Sequence, residues 1–350
     1  MSVINSQVAI SRIGWVDFSK GLCIILVVLM HSTNGVEKAF GMESWLHGFI
    51  EWARPFRMPD FFLIAGLFLS RRIDRPWRSY LDTKVVHFAY FYVIWMTIWY
   101  GLKLPDFIGQ QGLESALLLY PLSFIQPLGT LWFIYMLAVF FVTVKLLRRA
   151  PVVIVWLVAA LLHALHIDTG ARVIDEFAAR FVFFYSGYAF AAYAFSVADF
   201  IEKQKTAATL NALVIWAVLN AWAVFGGWSQ MPVIELAMGY AGTGAVIAVG
   251  VLLAKFRFGT FVGYCGQNSI LIFLSYFIFM AGTRVVLLKL GILSDPGSVA
   301  LIVTAAGVVG PLLAYQLVKK TPLVYVYRRH PACHLSDTKP VHKNKLSQQN

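Results

Sequence analysis

The sequence predicts an all-α, polytopic membrane protein of about ten transmembrane helices, with both termini cytoplasmic. Three observations carry that expectation. Of 350 residues, 59% are hydrophobic and only 13% charged, about half the charged fraction of a water-soluble domain. Mean hydropathy is +0.71. Apolar runs that suit a hydrocarbon core of about 30 Å recur along the chain, separated by charged or Pro/Gly-containing breaks. No room is left for a large soluble domain.

In chain order the runs lie near 14–34, 52–70, 81–101, 127–147, 151–166, 177–198, 207–226, 232–254, 260–281 and 298–318. The first contains "KGLCIILVVLMH", Lys20 to His31, and is read as a retained span, not a cleaved signal peptide. The second follows Pro55 and Pro59. Proline is tolerated in a first helical turn, which places Asp60 near a membrane boundary. The third includes "HFAYFYVIWMTIWY", His87 to Tyr100, aromatic throughout, as suits side chains that favour membrane interfaces. The fifth ends on His163 and His166, at i and i+3 with no third ligand nearby, so no metal is expected. Cys23, Cys265 and Cys333 show neither metal spacing nor a disulfide framework. The chain thus divides into a cytoplasmic N-terminal segment, 1–13, a membrane domain, 14–318, and a basic cytoplasmic tail, 319–350, expected to be disordered.

Lysines and arginines test the topology. With the N-terminus inside, twenty fall on inner segments and eight on outer ones, Lys20 being inside the first span. The bias puts both ends on the cytoplasmic side. It also accounts for the net charge of +12 without nucleic acid as a partner.

Lys20 and His31 are the informative pair. At about 100° per residue, eleven steps give three turns plus roughly 20°, so the two share a face about 16 Å apart along the axis. Asp17 joins that face. An ionisable group within a span costs several kcal/mol unless it meets protein or water. Three on one stripe imply a polar cavity crossing much of the membrane. The alternative, left open by spacing, is an interfacial Asp17–Lys20 pair with His31 capping the far end. Histidine is the side chain suited to take and return a proton near neutral pH. His31 is therefore the candidate for chemistry. Glu37, Glu51 and Asp60 could orient it, and Asp60 could instead pair with Arg57.

"WVDFSKGLCIILVVLMH" (Trp15 to His31) resembles the first-helix signature of the acyltransferase-3 family: a basic residue, ten residues, then histidine, often with aspartate three before the basic residue. "FRMPDFFLIAGLFLSRR" (Phe56 to Arg72), "GTLWFIYML" (Gly129 to Leu137), "FFYSGYAF" (Phe183 to Phe190) and "GQNSILIFLSY" (Gly266 to Tyr276) are similar to later family motifs, in order. Asp60, Ala65 and Ser275 depart from the residues more common there.

The resemblance implies a membrane acyltransferase over 14–318, in a bacterial cytoplasmic (inner) membrane, working at the lipid bilayer. It would move an acyl group, acetyl or succinyl, from acyl-CoA to a hydroxyl of a saccharide or other envelope glycan. Acyl-CoA is then a donor substrate, and no cofactor is expected. His31 would act as general base; Asp60, which departs from the family pattern, would orient it only if it pairs with His31 rather than with Arg57. Lys20, oriented by Asp17, would hold the donor's phosphates as a point charge. Arg57 and the loop arginines Arg71, Arg72, Arg75 and Arg78 add positive charge, which the positive-inside rule also explains. Trp132, Asn268 and Ser269 are candidate oxyanion donors. A multi-span transporter or a flippase without chemistry is the competing reading, although no internal repeat of the transporter kind is found.

Overall fold

In the computed structural model the described residues are 2–256, 259–291 and 293–335, with side chains described from Gly14 onward. The expected N-terminal segment, 1–13, is described from Ser2 only as helical backbone continuous with the helix that runs to Phe40, and the tail beyond Leu335 lies outside what is described. The chain is 82% helical, with no strand among the described residues. In order, the helices are α1 Ser2–Phe40, α2 His47–Trp52, α3 Arg54–Gly66, α4 Trp77–Leu81, α5 His87–Gln111, α6 Leu113–Leu122, α7 Trp132–Leu147 and α8 Val152–Ala164. There follow α9 Arg172–Ala189, α10 Ala191–Lys203, α11 Thr206–Phe225, α12 Pro232–Phe256, α13 Thr260–Gln267, α14 Ser269–Leu290 and α15 Pro296–Val318. A π-helical turn, Asp82–Val86, joins α4 to α5. Helices dominate because a backbone in hydrocarbon must satisfy its own N–H and C=O groups.

Seven helical stretches are long and apolar enough to cross a membrane: Gly14–Phe40, Trp77–Gln111, Gly129–Leu147, Thr206–Phe225, Pro232–Phe256, Ser269–Leu290 and Pro296–Val318. The α9–α10 pair, bent by 74°, makes an eighth if counted as one span. All ten expected runs fall on helices, yet besides the bent run 177–198 three more differ in form. Helices α3 and α8 have 13 residues each, about 20 Å at 1.5 Å per residue, short of the hydrocarbon thickness. The run 260–281 is broken at Asn268, between α13 and α14.

Helix α1 sits at the centre, packed against α3, α12, α13, α14 and α15. Glycines permit that packing, as small residues do between membrane helices. A Cβ on Gly21 would strike the Val262 carbonyl of α13, and one on Gly266 the Asp17 carbonyl of α1. Gly66 of α3 and Gly187 of α9 meet in the same way, each against the other helix's backbone.

The segment after α15, expected to be disordered, is folded as far as Leu335. Two 3-10 turns, Pro322–Val326 and Pro331–Cys333, lie against α5. Trp95 Nε1 donates to the Val326 carbonyl at 2.7 Å, and the Tyr90 hydroxyl to the Tyr325 carbonyl at 2.9 Å. Polarity alone misled here, because this segment hands its backbone carbonyls to aromatic donors on the body.

Candidate active site

The stripe on α1 is real, and it faces cavities. Lys20 and Cys23 line a chamber of about 240 Å³, together with Ala65 and Phe68 beyond α3, Lys84 at the π turn and Ser269 at the start of α14. Val27, Met30 and His31, further along the same stripe, line a second chamber of about 210 Å³. Its other walls carry Arg57 and Met58 from α3, Thr130 and Trp132 from the turn into α7, and Arg180 from α9. Phe61, Phe133 and Phe273 line both chambers. The rings pack edge to face and tilted, 4.7 Å between the centroids of Phe61 and Phe133 and 5.3 Å between those of Phe133 and Phe273. The stripe expected to line a single polar cavity thus faces two adjoining chambers that share three phenylalanines.

In the first chamber the charges are two lysines. Lys20 Nζ lies 5.7 Å from the Phe68 ring centre, and Lys84 Nζ 4.4 Å from that of Phe141, both within cation–π range. Asp17 acts electrostatically on Lys20 but lines a neighbouring groove with Gly14, Phe18 and Gln267. Three residues is 60° short of a full turn, and that offset moves its carboxylate out of the chamber. Arg71, Arg72, Arg75 and Arg78 are exposed. The charges of Arg72 and Arg75 reach Lys84, while Arg78 Nε donates to the Leu335 carbonyl at 2.7 Å.

In the second chamber His31 packs on the ring of Tyr276, 5.7 Å between centroids and 31° between planes. Tyr276 is fully buried, and its hydroxyl faces Thr130. The Tyr276 hydroxyl, Thr130 Oγ1 and Arg57 Nε are buried with no hydrogen-bond partner among the described residues. Such orphaned polar atoms are costly without a ligand or water to meet them. Thr130 and Trp132 are placed by a tight turn at Gly129, whose φ of 54° favours glycine. A Cβ there would also sit 2.8 Å from the Trp99 ring.

Asp60 is a correction. It neither lines the His31 chamber nor pairs with Arg57. It is fully buried, and its Oδ1 accepts the Thr243 hydroxyl of α12 at 2.7 Å. The register of α3 explains it. Arg57, Met58, Phe61 and Ala65 face the chambers, whereas Phe56 and Pro59 face α12 glycines, and Asp60 follows them. The other carboxylates considered are also engaged. Glu37 accepts from the Ser44 hydroxyl at 2.8 Å and meets His47 at 3.0 Å, and Glu51 pairs with Arg54 at 3.2 Å. The ring of Tyr276, not a carboxylate, holds the imidazole of His31.

The three candidate oxyanion donors separate. Trp132 lies in the His31 chamber and Ser269 in the Lys20 chamber. Asn268 caps the break before α14 and donates to the Tyr264 carbonyl at 2.9 Å, outside both. Lys84, Arg180, Thr130 and Tyr276 were not singled out from the sequence. Lys84 and Arg180 had a signal: both fall inside expected spans, where a charge needs a cavity or a partner.

Comparison with known proteins identifies the family. A family profile described as an acyltransferase domain, that of the acyltransferase-3 family, matches residues 13–316. Over 83 residues the chain is 35% identical to the inner membrane protein YcfT of Escherichia coli, covering 20% of this chain and 23% of that one. It is 28% identical over 145 residues to the nodulation protein NolL of Sinorhizobium fredii, covering 41% and 39%. The NolL of Mesorhizobium japonicum gives 26% over 145 residues, covering 41% and 38%. The chain thus spans less than half the length of these curated relatives. No solved structure matches it. With the profile covering nearly all of the membrane domain and the Lys20–His31 stripe facing buried chambers, the chain belongs to the acyltransferase-3 family.

Proposed function

We infer that the protein transfers an acyl group from cytoplasmic acyl-CoA to a hydroxyl of a saccharide or cell-envelope acceptor, across a bacterial inner membrane. The observation that carries this reading is the placement of Lys20 and His31 on one face of α1, each in its own chamber. The excess of lysine and arginine on the Lys20 side supports a cytoplasmic location for that end. The name of one relative, an inner membrane protein, supports the membrane assigned. Ten crossings, the even number that two cytoplasmic termini require, would need the short α3 and α8 to count as spans beside the bent α9–α10 pair and the seven long helices.

In this reading Lys20 and Lys84 attract the phosphates of the donor as point charges, within the field of the exposed arginines. The acylated arm extends past the three phenylalanines to His31. The acceptor hydroxyl oxygen attacks the thioester carbonyl carbon while the imidazole of His31 takes its proton. Thr130 and Trp132, which line the His31 chamber, would donate to the resulting oxyanion. The C–S bond then breaks, and the departing thiolate recovers the proton from the imidazolium. Products are the ester and free CoA.

The test is thiol release from acetyl-CoA or succinyl-CoA by the purified protein with a saccharide acceptor. His31→Ala should lower the rate by about 10²- to 10⁴-fold, the usual size of a general-base contribution. Equal rates in wild type and variant would refute the enzyme reading and leave a carrier or flippase.

A further inference from the structure

The His31 chamber contains two guanidinium groups and, among the described residues lining it, no carboxylate. Arg180 has a partner on its own helix, Glu176, at 3.4 Å. Arg57 has none. Its side chain is buried, the residue being 9% exposed. One N–H donates to the Ile50 carbonyl at 3.1 Å, and Nε is buried without a partner among the described residues. The nearby carboxylates make their close contacts elsewhere: Glu51 with Arg54, Glu37 with Ser44 and His47, and Asp60, through Oδ1, with Thr243.

A buried cation without a counter-ion is unfavourable unless something else repays it. Holding the Ile50 carbonyl is a modest return, since a neutral amide donor would serve as well. The guanidinium fork is instead matched to a carboxylate, which it can grip with two parallel N–H bonds. It opens onto the chamber that holds His31.

We propose that Arg57 is the receptor for a carboxylate that a substrate brings beside the reacting centre. That carboxylate is carried either on the acyl chain, as in a dicarboxylic half-thioester such as succinyl, or on the acceptor, as in a uronic acid. The assignment of these ligands rests on the acyl-transfer reading. The anion subsite itself rests on the unpaired charge.

Two measurements test it on the full chain in detergent or nanodiscs. The first compares kcat/KM for acetyl-CoA with a neutral glucoside, succinyl-CoA with the same glucoside, and acetyl-CoA with a glucuronide. Wild type should favour one carboxylate-bearing pair over the neutral pair by at least about tenfold, and the arm that gains identifies the source. In Arg57→Gln the ratio should fall to near unity, and Arg57→Lys should retain part of it. A wild type that favours the neutral pair, or a glutamine variant that keeps the ratio, overturns the proposal. The second measurement needs no turnover. Succinate or glucuronate should raise the thermal midpoint of wild type and not that of Arg57→Gln. If no donor–acceptor pair turns over and the shift still depends on Arg57, the acyl-transfer reading falls and the anion subsite stands. If neither anion shifts wild type, the subsite falls.

Discussion

Arg329 Nη2 lies 2.8 Å from Asp82 Oδ2, with the two side chains 6% and 2% exposed. The same carboxylate accepts the Leu335 backbone N–H at 2.7 Å. The bond ties the segment after the last helix to the π turn that carries Lys84. Removing one partner of a buried pair leaves the other uncompensated, at a cost of about 3 kcal/mol. Arg329→Ala should therefore shorten the half-life of thermal inactivation markedly and raise KM for acyl-CoA. A variant with unchanged half-life and KM would show that the pair is only a surface clasp.

Lys84 shares the first chamber with Lys20. If both hold donor phosphates, Lys84→Ala and Lys20→Ala should each raise KM for acyl-CoA about tenfold, the loss of one charge-assisted contact. The double variant should lose most of the wild-type dependence of KM on ionic strength. Unchanged donor affinity in Lys84→Ala would confine the lysine to its cation–π contact with Phe141.

Phe61, Phe133 and Phe273 stand between the chambers. Phe133→Ala should cost about 3 kcal/mol of stability through the cavity it leaves. It should also let water reach a bound thioester, so that hydrolysis without acceptor rises relative to transfer. Thiol release measured with and without acceptor decides it. A variant whose two rates keep the wild-type ratio would remove the wall's role in excluding water.

At the other end of α1, His47 Nδ1 meets Glu37 Oε2 at 3.0 Å. The hydrogen bond that His47 donates to Glu37, with the charges of Glu37, Glu43 and Glu51, raises the His47 pKa above its ordinary value. A group whose folded pKa is raised stabilises fully below its unfolded value, about pH 6.5. That contribution is lost as pH climbs through the raised value. Thermal stability should therefore drop modestly from pH 6 to pH 8, and His47→Gln should flatten the profile. The side chain is 35% exposed, which keeps the effect small. A profile identical in wild type and variant would dismiss it.

Asp60→Asn should keep the bond to Thr243 and leave the pH dependence of transfer unchanged, because Asp60 lies outside the His31 chamber. A shifted pH profile would return Asp60 to the catalytic group.

The helix period was enough to read Lys20 and His31 as one stripe, and the apolar runs located every long helix. What escaped was rotation and closure. Asp60 is three residues from Arg57, yet that offset turns it from the chamber to α12. Lys84 and Arg180 were counted as loop charges although they lie within apolar runs. The short α3, the break at Asn268 and the folded segment up to Leu335 depend on contacts between distant parts of the chain, which periodicity does not record.

The three-ring partition also bears on the cell's energy supply. A continuous wet path lined with lysines, arginine and histidine would shunt ions and protons down the membrane potential. Phe61, Phe133 and Phe273, set between Lys20 and His31, give such a path a hydrophobic constriction, the kind of feature that resists wetting.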